Sequence, residues 1–89
     1  MNKSIWKFPL ETEDTTTIIM PENAEILTVQ VQRDIVCLWA LVDPNASREP
    51  RTIQIIGTGH PIDGKVNRKY IGTYQLMEGA LVFHVFERL

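Results

Sequence analysis

The chain has 89 residues, with nine Lys and Arg against eleven Asp and Glu, for a formal net charge of -2. That length suffices for one domain, residues 1–89, and not for two. Apolar and charged shares of 44% and 22% argue against disorder, and the lack of a strong positive balance argues against a protein that coats nucleic-acid polymers.

Taken in chain order, two-residue alternation dominates. Ser4 to Leu10 reads as a strand that Pro9 confines to an edge or to its own end. Thr15 to Met20 is rich in β-branched residues and reads as a second. Pro21-Glu22-Asn23 is a turn, and Glu22 to Ile26 is the one stretch with any helical character. Leu27, Val29 and Val31 alternate with Thr28, Gln30 and Gln32, the pattern of a half-buried strand. After the polar break Arg33-Asp34 comes Ile35 to Val42, apolar at every position, which predicts a strand covered on both faces. Together these two segments predict a hairpin, ended by the turn residues Asp43 to Ser47.

Arg51 to Ile56 is the next strand, stopped by Gly57-Thr58-Gly59-His60-Pro61. Asp63 to Asn67 is a polar loop. Tyr70 to Met77 places Tyr70, Gly72, Tyr74 and Leu76 on one side, and Glu78-Gly79 turns the chain. Ala80 to Glu87 returns with Leu81, Phe83 and Val85 alternating against Val82, His84 and Phe86, giving a second hairpin. The pattern predicts an all-β domain: a small antiparallel β-sandwich or partly open barrel of six to seven short strands, with at most one short helix.

The longest apolar run, Ile35 to Val42, has eight residues, far below the roughly 18 of a membrane-spanning helix. Met1 to Lys7 has no apolar stretch or cleavage site of a secretory signal. With Cys37 as the lone cysteine, no intrachain disulfide forms, and the expected setting is a reducing cytoplasm with no membrane partner. Inside its apolar run, Cys37 is expected to be a buried, inert thiol. His60 and His84 are the only histidines, and no ligand spacing suggests a metal or cofactor. His84 reads as an alternating strand residue. No Ser-His-Asp signature is visible, so no catalytic residue is assigned and an enzyme is not expected.

Charge is uneven along the chain. Residues 1–47 sum to -4, residues 48–69 to +3 and residues 70–89 to -1. The basic segment holds Arg48, Arg51, Lys65, Arg68 and Lys69 together with two glycine-bearing loops. Cations beside free backbone amides favour a small anion, although a solvated loop has the same composition. Gly57-Thr58-Gly59-His60-Pro61 offers close backbone approach, a hydroxyl and an imidazole, or else a tight strand exit locked by Pro61. It lacks the spacing and lysine of a phosphate-binding P-loop. Tyr70 and Tyr74, on one predicted face with Gly72 between them, form a slot for a flat base, or an unoccupied cross-strand patch.

Several segments together carry a resemblance: Ile5-Trp6-Lys7-Phe8-Pro9-Leu10, Cys37-Leu38-Trp39-Ala40-Leu41-Val42-Asp43-Pro44, Gly57 to Pro61, Tyr70-Ile71-Gly72-Thr73-Tyr74 and Leu81 to Glu87. Over nearly the whole chain they resemble a widespread family of small proteins of tailed phages and prophages, long left as a domain of unknown function. That family is in turn similar to phage anti-CBASS nucleotide sponges, which are small and oligomeric and bind cyclic dinucleotides such as 3′3′-cGAMP without cleaving them. The resemblance implies an anti-defence protein of the infected host's cytoplasm. It assigns no ligand contacts, so the candidate residues come from this sequence. Arg51, Arg68 and Lys69 are expected to neutralise phosphates. Gly57, Thr58, Gly59 and His60 are expected to donate hydrogen bonds. Tyr70, Tyr74 and Trp39 are expected to stack on purines. A homo-oligomer, dimer or tetramer, with a shared pocket is expected because so small a chain rarely encloses such a ligand. The competing reading is a phage protein-interaction module or inhibitor subunit that docks by a sheet edge or aromatic patch.

Overall fold

The computed structural model describes residues 2–89. Seven strands form: β1 (Ser4–Pro9), β2 (Thr15–Pro21), β3 (Glu25–Gln32), β4 (Ile35–Val42), β5 (Arg48–Gly57), β6 (Arg68–Leu76) and β7 (Leu81–Arg88). One 3-10 turn, Met77–Gly79, joins the last two strands. The strands make two antiparallel sheets, a three-stranded one ordered β1-β4-β3 and a four-stranded one ordered β2-β5-β7-β6, which do not close into a barrel. Both predicted hairpins are present, the first around Arg33 and Asp34, whose φ values of 49° and 66° fit the backbone twist of a tight hairpin turn. Glu22 to Ile26 is a turn followed by the start of β3, not a helical turn.

The core lies between the sheets. Leu38, Ala40 and Val42 of β4, Val29 of β3, Ile53 and Ile55 of β5 and Val85 of β7 are buried there, with Trp6 and Phe8 of β1 packed against them. Trp6 and Phe8 share this face, their centroids 6.4 Å apart, because they pair with Ala40 and Leu38.

The sheets approach most closely where β3 passes β6. Both strands carry a register shift there, between Ile26 and Thr28 and between Tyr70 and Gly72. A bulge bends and twists its strand, which lets two sheet edges converge. At the crossing, a Cβ on Gly72 would lie 2.8 Å from Cγ1 of Val29, so only glycine fits without displacing a buried, β-branched neighbour. The β3 bulge also changes the expected alternation. Ile26 turns inward opposite Ala40, and Leu27 is left exposed. Val31 is exposed as well, at the turn end of the strand.

Cys37 is buried, at 1% exposure, on the outer side of β4. Its companions on that side contradict the expectation of a strand covered on both faces. Trp39 and Leu41 are half-buried and Ile35 is exposed, because a two-layer domain has no third layer to place over them.

Gly72→Ala is expected to lower stability by about 1–3 kcal/mol through overpacking, and Val29→Ala in the same chain to recover part of that loss. Urea unfolding of the single and double variants measures this, and strictly additive losses would contradict the contact.

Candidate functional site

The outer face of the four-stranded sheet brings most of the expected chemistry together. Strand pairing sets it out in rows. Thr52, Arg88 and Arg68 are neighbours across β5, β7 and β6; Gln54, Phe86 and Tyr70 form the next row; Ile56, His84 and Thr73 the one after. Tyr70 is 55% exposed and meets Phe86 edge-on, with centroids 5.5 Å apart. A chain of hydrogen bonds runs from the tyrosine along the face: Tyr70 Oη to Thr73 Oγ1 at 2.6 Å, Thr73 Oγ1 to His84 Nδ1 at 3.0 Å, and His84 Nε2 to Thr58 Oγ1 at 2.7 Å. The hydroxyl of Tyr70 is thus held by Thr73 while more than half of the side chain stays exposed, which leaves ring surface for stacking.

The glycine loop borders this face. His60 N donates to Gly57 O at 3.1 Å, closing a tight turn in which Gly59 has φ of 85°. The imidazole of His60 folds back over Gly57, where a Cβ would come within 3.1 Å of the ring. Between this loop and the sheet lies an open cavity of about 300 Å³, lined among others by Gln54, His60, Asp63 and Arg68. Arg68 is half committed within it. Its Nε donates to Gln54 Oε1 at 2.6 Å and its Nη1 to Asp63 O at 2.6 Å, which pins the 63–67 loop to the sheet.

Four expected residues stand elsewhere. Tyr74 is only 4% exposed and faces the core, against Phe83. The extra residue at the Ile71 bulge shifts the pairing, so Tyr70 matches outward Phe86 while Gly72 and Tyr74 match inward Val85 and Phe83. The two tyrosines therefore lie on opposite faces, and no slot forms between them. Lys69 pairs with Glu87 and points to the side away from Arg68. Arg51 is on the inner face, where Nε and Nη2 bind both oxygens of the Glu87 carboxylate, the latter at 2.9 Å, and Nη1 donates to Ala24 O at 2.9 Å. The hydrogen bond to Glu87 raises its pKa further, against the opposing effect of burial. So paired, Arg51 has no charge to spare for a phosphate. Trp39 is on the far side of the molecule, on the outer face of the other sheet.

Arg88, Phe86, Thr73 and Gln54 also lie on this face and are not among the expected site residues, and His84, expected to be an alternating strand residue only, lies there too. The signal for Phe86 and His84 was their shared parity on β7, and a correct hairpin register would have added Tyr70 to it. Arg88 is exposed, with no side-chain partner among the described residues.

The fold and face describe a small two-sheet β-sandwich with an aromatic and cationic patch on its larger sheet. Residues 1–89 match the model of one family, the domain of unknown function DUF7352, and the chain belongs to it. No curated protein and no solved structure matches it.

Tyr74 also sets a pH response. Its hydroxyl meets Thr12 Oγ1 at 2.8 Å, and burial raises its pKa above the ordinary tyrosine value of about 10. The folded chain keeps the phenolic proton where the unfolded chain has lost it. This contribution is complete below about pH 10 and disappears as pH rises through the raised value. Tyr74→Phe is expected to cost about 1 kcal/mol at neutral pH for the lost hydrogen bond and to decline less steeply in alkali. Denaturant midpoints across the alkaline range check this, and parallel curves for both proteins would refute it.

Proposed function

We propose that the protein binds a cyclic dinucleotide reversibly on the outer face of the four-stranded sheet and sequesters it without cleavage. One observation carries this reading: an exposed Tyr70, its hydroxyl held by Thr73, with Phe86 at its side and Arg68 and Arg88 in the adjacent row. A nucleotide needs a planar stacking surface, a cation near its phosphate and hydrogen-bonding groups for the base edge. Tyr70 supplies the first, Arg88 and the uncommitted edge of Arg68 the second, and His60 with the remaining capacity of the Thr58 and Thr73 hydroxyls the third, while His84, bonded at both ring nitrogens, holds those two hydroxyls in place. The similarity to phage nucleotide sponges suggests the cyclic dinucleotide, the infected host's cytoplasm as the place of action, and blunting of a nucleotide-triggered defence as the outcome.

A second reading, a protein-interaction module, is favoured by a different observation: the apolar outer row of β4, with Ile35 and Leu41 at its ends.

Calorimetry against a panel of cyclic dinucleotides is the direct test. Tyr70→Ala is expected to weaken binding by roughly tenfold or more, the loss of one base stack, and Arg88→Ala to weaken it and flatten its salt dependence. Ligand recovered after denaturation is expected intact. Hydrolysed ligand would mean an enzyme, and no binding to any member would leave the interaction module.

A further inference from the structure

The outer face of the three-stranded sheet is built unlike a solvated one. A sheet with one face in water alternates polar residues outward. Here the central strand β4 turns Ile35, Cys37, Trp39 and Leu41 outward, and Ile5 of β1 lies beside Leu41. Ile5 is 59% and Ile35 56% exposed. Of the flanking strands, β3 is polar on this side, with Glu25, Thr28, Gln30 and Gln32, while β1 sets Lys7 between Ile5 and Pro9. An apolar centre containing a tryptophan, with a polar rim, is the anatomy of an interface.

The charges indicate the occupant. Lys7 and Glu25 are the only charged residues on the outward rows of these strands, and they stand on opposite flanks. A second copy laid on this face about a two-fold axis parallel to β4 places apolar row on apolar row. The same operation puts the β1 flank of each copy over the β3 flank of the other. Lys7 stands beside Trp39 and Glu25 beside Leu41, an offset of about 7 Å along the strand, which a lysine side chain spans. The face is thus complementary to itself, as a two-fold interface requires.

We infer that two copies of this chain associate back to back through the outer face of β1-β4-β3, with Trp39 at the centre and a Lys7–Glu25 pair on each flank. Strands of six, eight and eight residues cover an area of at most about 14 Å by 26 Å, smaller than the roughly 800 Å² per partner of a standard interface, so a micromolar dimer is expected. Lys7 Nζ donates to Gln32 Oε1 at 3.0 Å in the single chain, and this exposed contact yields to the intermolecular pair.

Sedimentation equilibrium of the full chain tests the inference. The mass is expected to rise from 10.2 kDa towards twice that value with concentration. Ile5→Glu and Ile35→Glu replace exposed side chains, so circular dichroism is expected to stay unchanged while dimerisation weakens by about tenfold or more. Lys7→Glu is expected to weaken the dimer, and Lys7→Glu combined with Glu25→Lys to restore it. A chain monomeric at all concentrations assigns the face to a different protein and overturns the inference. So does a dimer indifferent to Ile35→Glu, or a double reversal no better than the single one. Ligand binding lies on the other sheet, so its presence or absence is scored separately.

Discussion

The close approach of β3 and β6 is the constraint on which the rest of the molecule depends. Two sheets of three and four strands must bury one shared face, and they converge where Val29 meets Gly72. Reaching that contact takes a bend in both strands, and each provides it with one unpaired residue, Leu27 in β3 and Ile71 in β6. The bulge in β6 has a second effect. It inverts the alternation partway along the strand, so that Tyr70 opens to solvent while Tyr74 closes the core against Phe83 and Thr12. One backbone irregularity therefore brings the sheets together and places the only exposed aromatic platform of the larger sheet.

Charge is sorted by the same two-layer geometry. The basic segment of residues 48–69 looks like one reservoir along the chain, but its members are sent to different surfaces. Arg51 falls on the inner face, where a lone guanidinium would be costly, and Glu87, 7% exposed, accepts from it twice. Arg68 binds the loop beside it, and Lys69 points away from both. The cation that remains available beside Tyr70 is Arg88, from a segment whose net charge is negative. A segment sum thus says little about the potential at a site, because strand parity decides which side of the sheet each charge reaches.

Strand existence was legible because half-buried strands write their periodicity into the sequence. The alternation of residues 81–87, the Thr15–Met20 run and the short polar breaks each mapped onto an observed strand or turn. Face assignment was legible only where that alternation is unbroken. Trp6 and Phe8, two residues apart on an unbulged strand, share a side as alternation requires, whereas Tyr70 and Tyr74 do not share the one expected for them, since a bulge adds a residue without any compositional mark. The all-apolar run of Ile35–Val42 misled in another way. Such a run predicts cover on both faces, and in this chain only the inner one is covered along its length.

That shortfall follows from size. The sandwich has one core layer and spans 42 × 34 × 15 Å between Cα extremes, and the clefts lined by Arg68, by Cys37 and by Asn45 are open, of a few hundred Å³ each. A body 15 Å thin favours binding on its faces over enclosure. The two faces differ in kind. One is aromatic and cationic with a fixed hydrogen-bond chain, and the other is apolar at its centre with opposite charges at its flanks. Covering the apolar face with a second copy leaves both polar faces of the pair outward and unobstructed. On the proposed reading, each chain of such a pair keeps its own ligand surface, and capacity for ligand scales with the number of chains without a pocket formed between them.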